Sequence, residues 1–420
     1  MIMSNKKIII IFFILIFSSV LVSEDFFNLS GYFKNYSTYI KLAEYKNFEM
    51  QNIDLGAVNN RLRLNLMLNI SKNIQFNVSY DFSARIQDNY LYENNILFGD
   101  TIENDFRVDD FDSIIYPDED KISSFSLMHN LDRFYLTINT DFADFYIGRQ
   151  AISWGSGRIF NPTDVIVPFN FNELDTEDKR GVDALRVRIP IGSLSEIDMG
   201  YVFSKDFDKD NSIYFIRGKF YILNTDVALI LMSLKQNLLI GFDLTRSIGG
   251  AGFWIEASYF KPKFFGDQEV EESDNLRFVV GIDYNFSFGV YAFAEYYHNT
   301  NGYKQDYDYT SFYQSEMFNS ESVFFMARDY VDFGMTYNIT PLIPATISFI
   351  YNMGDGSVVI SPVIEYNISE NMYLSAGAFL CLGEKPEFNT NLTRFSPMFI
   401  LNSEFGTYPD IIYFSYRIYL

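Results

Sequence analysis

Period-two alternation of apolar and polar side chains, sustained well past the length of an ordinary strand, is what most limits the folds open to this chain. Between Arg61 and Ile70 the even positions are Leu62, Leu64, Leu66, Leu68 and Ile70, while the odd ones are Arg61, Arg63, Asn65, Met67 and Asn69. After Ser71-Lys72-Asn73 the pattern returns, with Ile74, Phe76, Val78, Tyr80 and Phe82 set against Gln75, Asn77, Ser79, Asp81, Ser83 and Arg85. Successive side chains of a strand point to opposite faces, so each stretch has one greasy and one polar side. Each also covers the ~9 to 11 residues that a tilted strand needs to cross hydrocarbon. The same alternation runs through 214–222, 276–286, 331–339 and 360–368, and a helical period fits none of these windows.

Tight connections at 71–73, 139–141, 192–195, 224–226, 247–250, 287–289 and 369–371 alternate with longer ones at 42–58, 87–130, 154–181, 261–274, 299–327 and 382–409. Short turns at one end and long loops at the other are the mark of a membrane-spanning hairpin array, which must close on itself because lipid cannot satisfy an open sheet edge. The expected fold is therefore all-β: a transmembrane, antiparallel, up-and-down β-barrel of about 18 strands, with about 16 as the alternative count. The 44 Phe and 31 Tyr residues, many at strand ends, suit aromatic girdles at the two interfaces. A soluble β-core filled by them would leave the continuous polar face with no role.

At the N-terminus, Lys6 and Lys7 precede an apolar run from Ile8 to Val22, and small Ser23 stands before Glu24 and Asp25. That arrangement predicts a signal peptide over 1–23 and a barrel over 24–420. Elsewhere no window approaches the ~18 consecutive apolar residues of a membrane helix. The single cysteine, Cys381, permits no internal disulfide. A net charge of −22 argues against a nucleic-acid partner, since a phosphate backbone calls for clustered Lys and Arg. No cofactor or metal framework is expected. Only His129 and His298 are available for acid–base chemistry, both read as rim residues, so the chain is not expected to be an enzyme.

If the apolar face meets lipid, the charges between must face the lumen, because a cationic side chain at the lipid midplane costs ~2–4 kcal/mol. The expected pore lining is basic in the first half, with Arg61, Arg63, Arg85, Arg186, Arg188, Arg217 and Lys219. In the second half it is acidic, with Asp243, Glu256, Asp283, Asp332 and Glu365. Two opposed walls of this kind would set up a transverse field across the pore. The alternative is that these charges pair with one another and merely solvate or plug the lumen.

The segment Trp154 to Gly181 is the candidate constriction loop, with Trp154, Asn161, Pro162, Asp164, Glu173 and Asp175 placed to fold inward and line the aperture. An outward surface loop is the competing reading. Residues 87–130 carry Asp88, Glu93, Asp109, Asp110 and further acids against Arg107 and Lys121. They show no calcium-loop spacing, so a solvated acidic surface loop is expected there.

Two stretches carry a resemblance. Tyr146-Ile147-Gly148-Arg149-Gln150-Ala151-Ile152-Ser153-Trp154-Gly155, followed by Asn161-Pro162-Thr163-Asp164, resembles the Gly-Arg-Gln, Trp-Gly and Asn-Pro-x-Asp run of porin-like and alginate-export-like outer-membrane families. The last strand, with Ile412, Phe414, Tyr416, Ile418 and Leu420 on one face, resembles the terminal signal that barrel-assembly machinery reads, although Leu420 stands where Phe or Trp is usual. The resemblance implies a bacterial outer-membrane location, with outer-membrane lipid and the assembly machinery as partners. A channel for passive or weakly selective diffusion of small polar solutes is the expected function; a homo-oligomer is left open. A surface adhesin or structural barrel without transport is the alternative.

Overall fold

The structure is a computed structural model that describes residues 26–46, 53–93, 105–110, 114–115, 124–266, 273–303, 325–388 and 399–420. The expected signal peptide lies outside the described residues. Eighteen long strands follow one another around a ring. They are β1 (Phe27–Lys41), β2 (Asp54–Ser71), β3 (Ile74–Gln87), β4 (Phe125–Asn139), β5 (Asp144–Gln150) and β6 (Val182–Ile191). Next come β7 (Ser195–Val202), β8 (Ile213–Ile222), β9 (Thr225–Leu234), β10 (Asn237–Ile248), β11 (Ala251–Lys261) and β12 (Asn275–Asn285). The last six are β13 (Val290–Asn299), β14 (Asp329–Thr340), β15 (Ile343–Asn352), β16 (Val358–Ser369), β17 (Met372–Leu382) and β18 (Asp410–Tyr419). Every neighbour pair is antiparallel, and β18 returns to β1 with Tyr419 opposite Tyr32 and Asp410 opposite Lys41. That closing pair leaves no open edge, which is the condition for crossing lipid with strands.

The alternation read in the sequence becomes two surfaces. On β12, Leu276, Val280 and Ile282 are exposed while Asn275, Arg277 and Val279 between them are buried. On β2, Leu64 faces out and Arg63 is 2% exposed. Exposed Leu, Ile, Phe and Tyr side chains recur on this outer face around the ring.

One end carries eight tight turns among the described residues, the eighth being the 341–342 connection between β14 and β15. The opposite end carries the long loops but not uniformly. β9 and β10 are joined there by Lys235-Gln236 alone, with φ of 48° and 69°. Positive φ at both central residues matches the right-handed strand twist, as in tight hairpins, but this dipeptide lacks the Asn-Gly signature that would have announced it.

Apolar side chains also collect inside the barrel at the loop end. Val182, Val202, Ile213, Phe215, Ile230, Met232, Leu234, Leu239 and Phe260 point inward and receive Phe106, Ile152, Val165 and Ile166 from two loops. Burying such side chains stabilises by roughly 1.5–3 kcal/mol each, enough to draw the loops into the mouth. Within 87–130 the described segment 105–110 keeps Asp105, Asp109 and Asp110 exposed, as the acidic-loop expectation has it, but Phe106 is buried in that cluster and Arg107 is bonded to Gly181 O, Asp110, Asn130 and Asp132. One large apolar ring and one arginine with four hydrogen-bond partners anchor this segment while its acids stay in solvent.

Candidate functional site

The connection between β5 and β6, residues 151–181, lies across the inside of the barrel and is bonded to walls on both sides. Its entry is fixed by Trp154, whose ring packs edge-on against Phe215 at 4.9 Å between centroids. Gly155 follows with φ +119°, and a Cβ there would stand 2.4 Å from Asn161 Oδ1 and 3.1 Å from Glu256 Oε2. Only glycine fits both the dihedral and the space.

From that bend the backbone delivers its N–H groups to inward carboxylates. Ser156 N and Gly157 N donate to Glu256 Oε2 at 2.8 and 3.2 Å, and Thr163 N and Oγ1 donate to Oε1 at 2.8 and 2.7 Å. Arg158 N and Ile159 N donate to the two oxygens of Glu295 at 2.6 and 3.0 Å, and Trp254 Nε1 adds a third donor at 2.6 Å. Ser156 Oγ donates to Asp243, and the Arg158 guanidinium pairs with Asp283 at 2.7 Å while lying 5.0 Å over the Trp254 ring. Carboxylates on β10, β11, β12 and β13 thus form a docking strip for this half of the loop.

The Asn161-Pro162-Thr163-Asp164 run closes a turn, with Asp164 N donating to Asn161 O at 3.1 Å. Pro162 O accepts from Arg277, and Phe160 stacks on Tyr297 at 4.6 Å. The Asp164 carboxylate accepts from Ser153 Oγ and from Lys179 Nζ at 2.7 Å, which ties the entry of the loop to its exit. Burial pushes the Asp164 carboxyl above the usual range, and the Lys179 ammonium opposes that shift.

The exit half meets the opposite wall. Asp175 pairs with Lys34 at 2.8 Å and Arg61 at 3.0 Å, Glu177 pairs with Lys34 at 2.6 Å, and Asp178 accepts from Tyr32 Oη at 2.8 Å. Glu173 lies 3.9 Å from Arg180 within the loop. Phe171 packs against Phe325, Phe405 and Tyr408.

The other residues singled out in the sequence are engaged in pairs. Arg61 also pairs with Asp81, Arg63 with Asp81 and Asp132, Arg186 with Asp198, Arg188 and Arg217 with Glu196, Lys219 with Asp226, and Glu365 with Arg417. Arg85 is buried on the inner side of β3. Acids are interleaved with the basic groups, as Asp81, Asp198 and Glu196 show, and Arg277 lies among the acids of β10 to β14, while the loop itself joins Lys34 and Arg61 to the carboxylates on β10 to β13. Asp332 is brought opposite Glu295 in the β13–β14 register.

A second network lies deeper at the loop end and was not read from the sequence. Asp132 is shared by Arg63, Arg107 and Arg133 and accepts from Gly181 N. Arg149 of the Gly-Arg-Gln motif bonds Asp183 and Asp110 and the carbonyls of Leu131 and Asp109. The motif could have pointed to Arg149, and the scarcity of cations in an acidic run to Arg107; their common partners are set only by three-dimensional packing. His129 and His298 sit on strand β4 and strand β13, where their partners include Tyr80 and Asp329.

No protein-family model matches the sequence, and no curated protein matches it by sequence. Solved structures share the fold. OccK7 (OpdD) of Pseudomonas aeruginosa superposes with a TM-score of 0.53 at 8% identity, over 94% of this chain and 98% of that one. OccD3 (OpdP) of the same organism gives 0.53 at 8%, over 94% and 91%. The outer membrane protein opdK, also from Pseudomonas aeruginosa, gives 0.50 at 9%, over 94% and 98%. The chain therefore shares the fold of these proteins, here a closed antiparallel barrel of 18 strands.

Proposed function

We propose that this chain is a porin-like channel of the bacterial outer membrane, through which small polar solutes diffuse passively or with weak selectivity past the 151–181 loop. The observation that carries this reading is a loop laid across a barrel lumen and bonded to two opposite walls, to Glu256 and Glu295 on one and to Lys34 and Arg61 on the other. Such a loop narrows a wide barrel to an aperture whose polar edges include Arg158, exposed on the acidic side, and Thr176 and Glu177 on the basic side. The pairing of Arg61, Arg63, Arg186 and Arg217 with carboxylates favours weak over strong charge sieving, since paired charges project little field. The similar fold of OccD3, OccK7 and opdK supports the location and the channel reading. Outer-membrane lipid, the barrel-assembly machinery and small polar solutes are the partners in this reading, and residues 1–23 act as a cleaved export signal.

Liposome swelling with neutral, anionic and cationic sugars of matched size tests it. Swelling with all three, and a rise in single-channel conductance on deletion of 158–174, are the expected results. No swelling with any of them would favour the surface-binding reading.

A further inference from the structure

The inner wall between β13 and β14 holds an electrostatic imbalance that the loop contacts leave in place. Glu295 and Asp332 stand directly opposite each other in the strand register and are 2% and 0% exposed. Glu295 takes three N–H donors, from Arg158, Ile159 and Trp254. Asp332 takes none: among the described residues no N–H or O–H group donates to either oxygen, and the polar group beside it is the Glu295 carboxyl. Its other strand neighbour in register is Ile350, which offers no charge. The loop cation Arg158, whose backbone N–H rests on Glu295, pairs its guanidinium with Asp283. Leaving a buried carboxylate without donor or counter-charge costs several kcal/mol, so a positive charge belongs beside Asp332.

The surroundings say what kind. Asp243, Glu256 and Asp283 on β10, β11 and β12 add to the negative charge of this sector of the wall, which favours a cation. On the loop side of the pair lie the rings of Tyr297, Tyr330 and Phe160, all within 6.1 Å of one another between centroids, and such faces attract a desolvated cation. On the other side the Phe293 ring covers Gly334, where a Cβ would fall 2.0 Å from it. A divalent ion takes six or more oxygens, and no cluster of three or more acidic, His or Cys ligands suited to a metal exists among the described residues.

We propose that Glu295 and Asp332 hold a small monovalent cation, of sodium or potassium size, against the inner wall beneath the Phe160–Tyr297–Tyr330 rings. The cation neutralises Asp332 and bridges it to the carboxylate on which the loop N–H groups of residues 158 and 159 rest. Occupancy and seating of the loop are therefore coupled, whether or not the barrel conducts.

Both tryptophans of the chain report on this place, Trp154 in the loop and Trp254 through its bond to Glu295. Full-length protein in detergent is titrated with potassium chloride replacing N-methylglucamine chloride at constant ionic strength and pH. A saturable change in tryptophan emission is expected. Its half-saturation should move up by about tenfold or more in Asp332→Asn, whose amide supplies the missing donor. Rubidium-soaked crystals of the unmodified protein should show anomalous scattering between the two carboxylates, a readout that needs no variant; should Asp332→Asn fail to fold, Glu295→Gln replaces it in the titration. Emission that follows pH but not the cation would assign the charge to a proton and overturn the proposal. So would the same titration in Asp332→Asn, or no rubidium at the pair. Loss of conductance with the cation response intact would count against the channel reading alone.

Discussion

Replacing Glu256 by Gln removes one charge and almost no volume, yet it strikes the point where the loop is most densely bonded. Each oxygen of Glu256 accepts two hydrogen bonds, Oε2 from Ser156 N and Gly157 N and Oε1 from Thr163 N and Oγ1, and the side chain is fully buried. A glutamine keeps one oxygen and therefore one of these pairs. Its amide nitrogen faces two donors and can accept from neither, although the Thr163 hydroxyl can rotate to relieve part of the conflict. Hydrogen bonds to a charged group contribute about 1.5–3 kcal/mol each, so two lost bonds weaken this anchor by about 3–6 kcal/mol before relaxation. Even the lower figure shifts the balance between seated and released loop by roughly a hundredfold. The Glu295 and Lys34 anchors remain, so the barrel should fold and only the loop should loosen. In planar bilayers Glu256→Gln is expected to show larger or noisier single-channel conductance. Hydrogen exchange over 153–165 should quicken while β11 and β12 stay protected. Unchanged exchange over 153–165 would refute the reasoning, because it would mean that these four bonds do not hold the loop.

Three further outcomes follow from other parts of the structure. Arg63→Ala leaves Asp81 and Asp132 short of a buried counter-charge and should lower stability by about 3–5 kcal/mol in denaturant titration, whereas Arg188→Ala, at a half-exposed pair, should change it by less than about 1 kcal/mol. At Gly148, with φ +118° and a would-be Cβ 2.3 Å from Phe134 O, alanine should reduce the fraction of heat-modifiable folded barrel seen on gels; a normal fraction would contradict that geometry. Burial pushes Glu404, in the loop before β18, up to about 8 despite donors from Tyr330 Oη, Met326 N and Asn352. With the folded value raised, its contribution is present in full below about 4.5 and is lost as pH rises through about 8. Exchange over 400–408, corrected for the intrinsic rate, should therefore quicken from pH 5 to pH 9 in the native chain and much less in Glu404→Gln.

Strand identity was legible because the side-chain period of a strand is a local property, visible in β2, β3, β12, β14 and β16 from neighbouring residues alone. Turn positions were legible where polar or glycine residues punctuate that period, and missed at Lys235-Gln236, where the backbone adopts positive φ without glycine. The β8–β9 region shows the limit. Ile213, Phe215, Ile230 and Met232 face inward as apolar residues, and their reason is a loop arriving from elsewhere in the chain.

What the sequence determined by itself is a closed barrel with a greasy exterior and a largely polar interior, since most of the strands carry that alternation within themselves and lipid permits no open edge. It also supplied the glycines, the Trp-Gly bend and the Asn-Pro-x-Asp turn from which the loop is made. The tertiary structure alone decided which charges meet. Asp175 reaches Lys34 and Arg61, Glu256 reaches Thr163, and Asp132 gathers Arg63 and Arg107 across sequence separations that no local pattern encodes. The physical reason is that a charge on a strand fixes only its own face, whereas its partner depends on the curvature of the closed wall and on where the loop comes to rest.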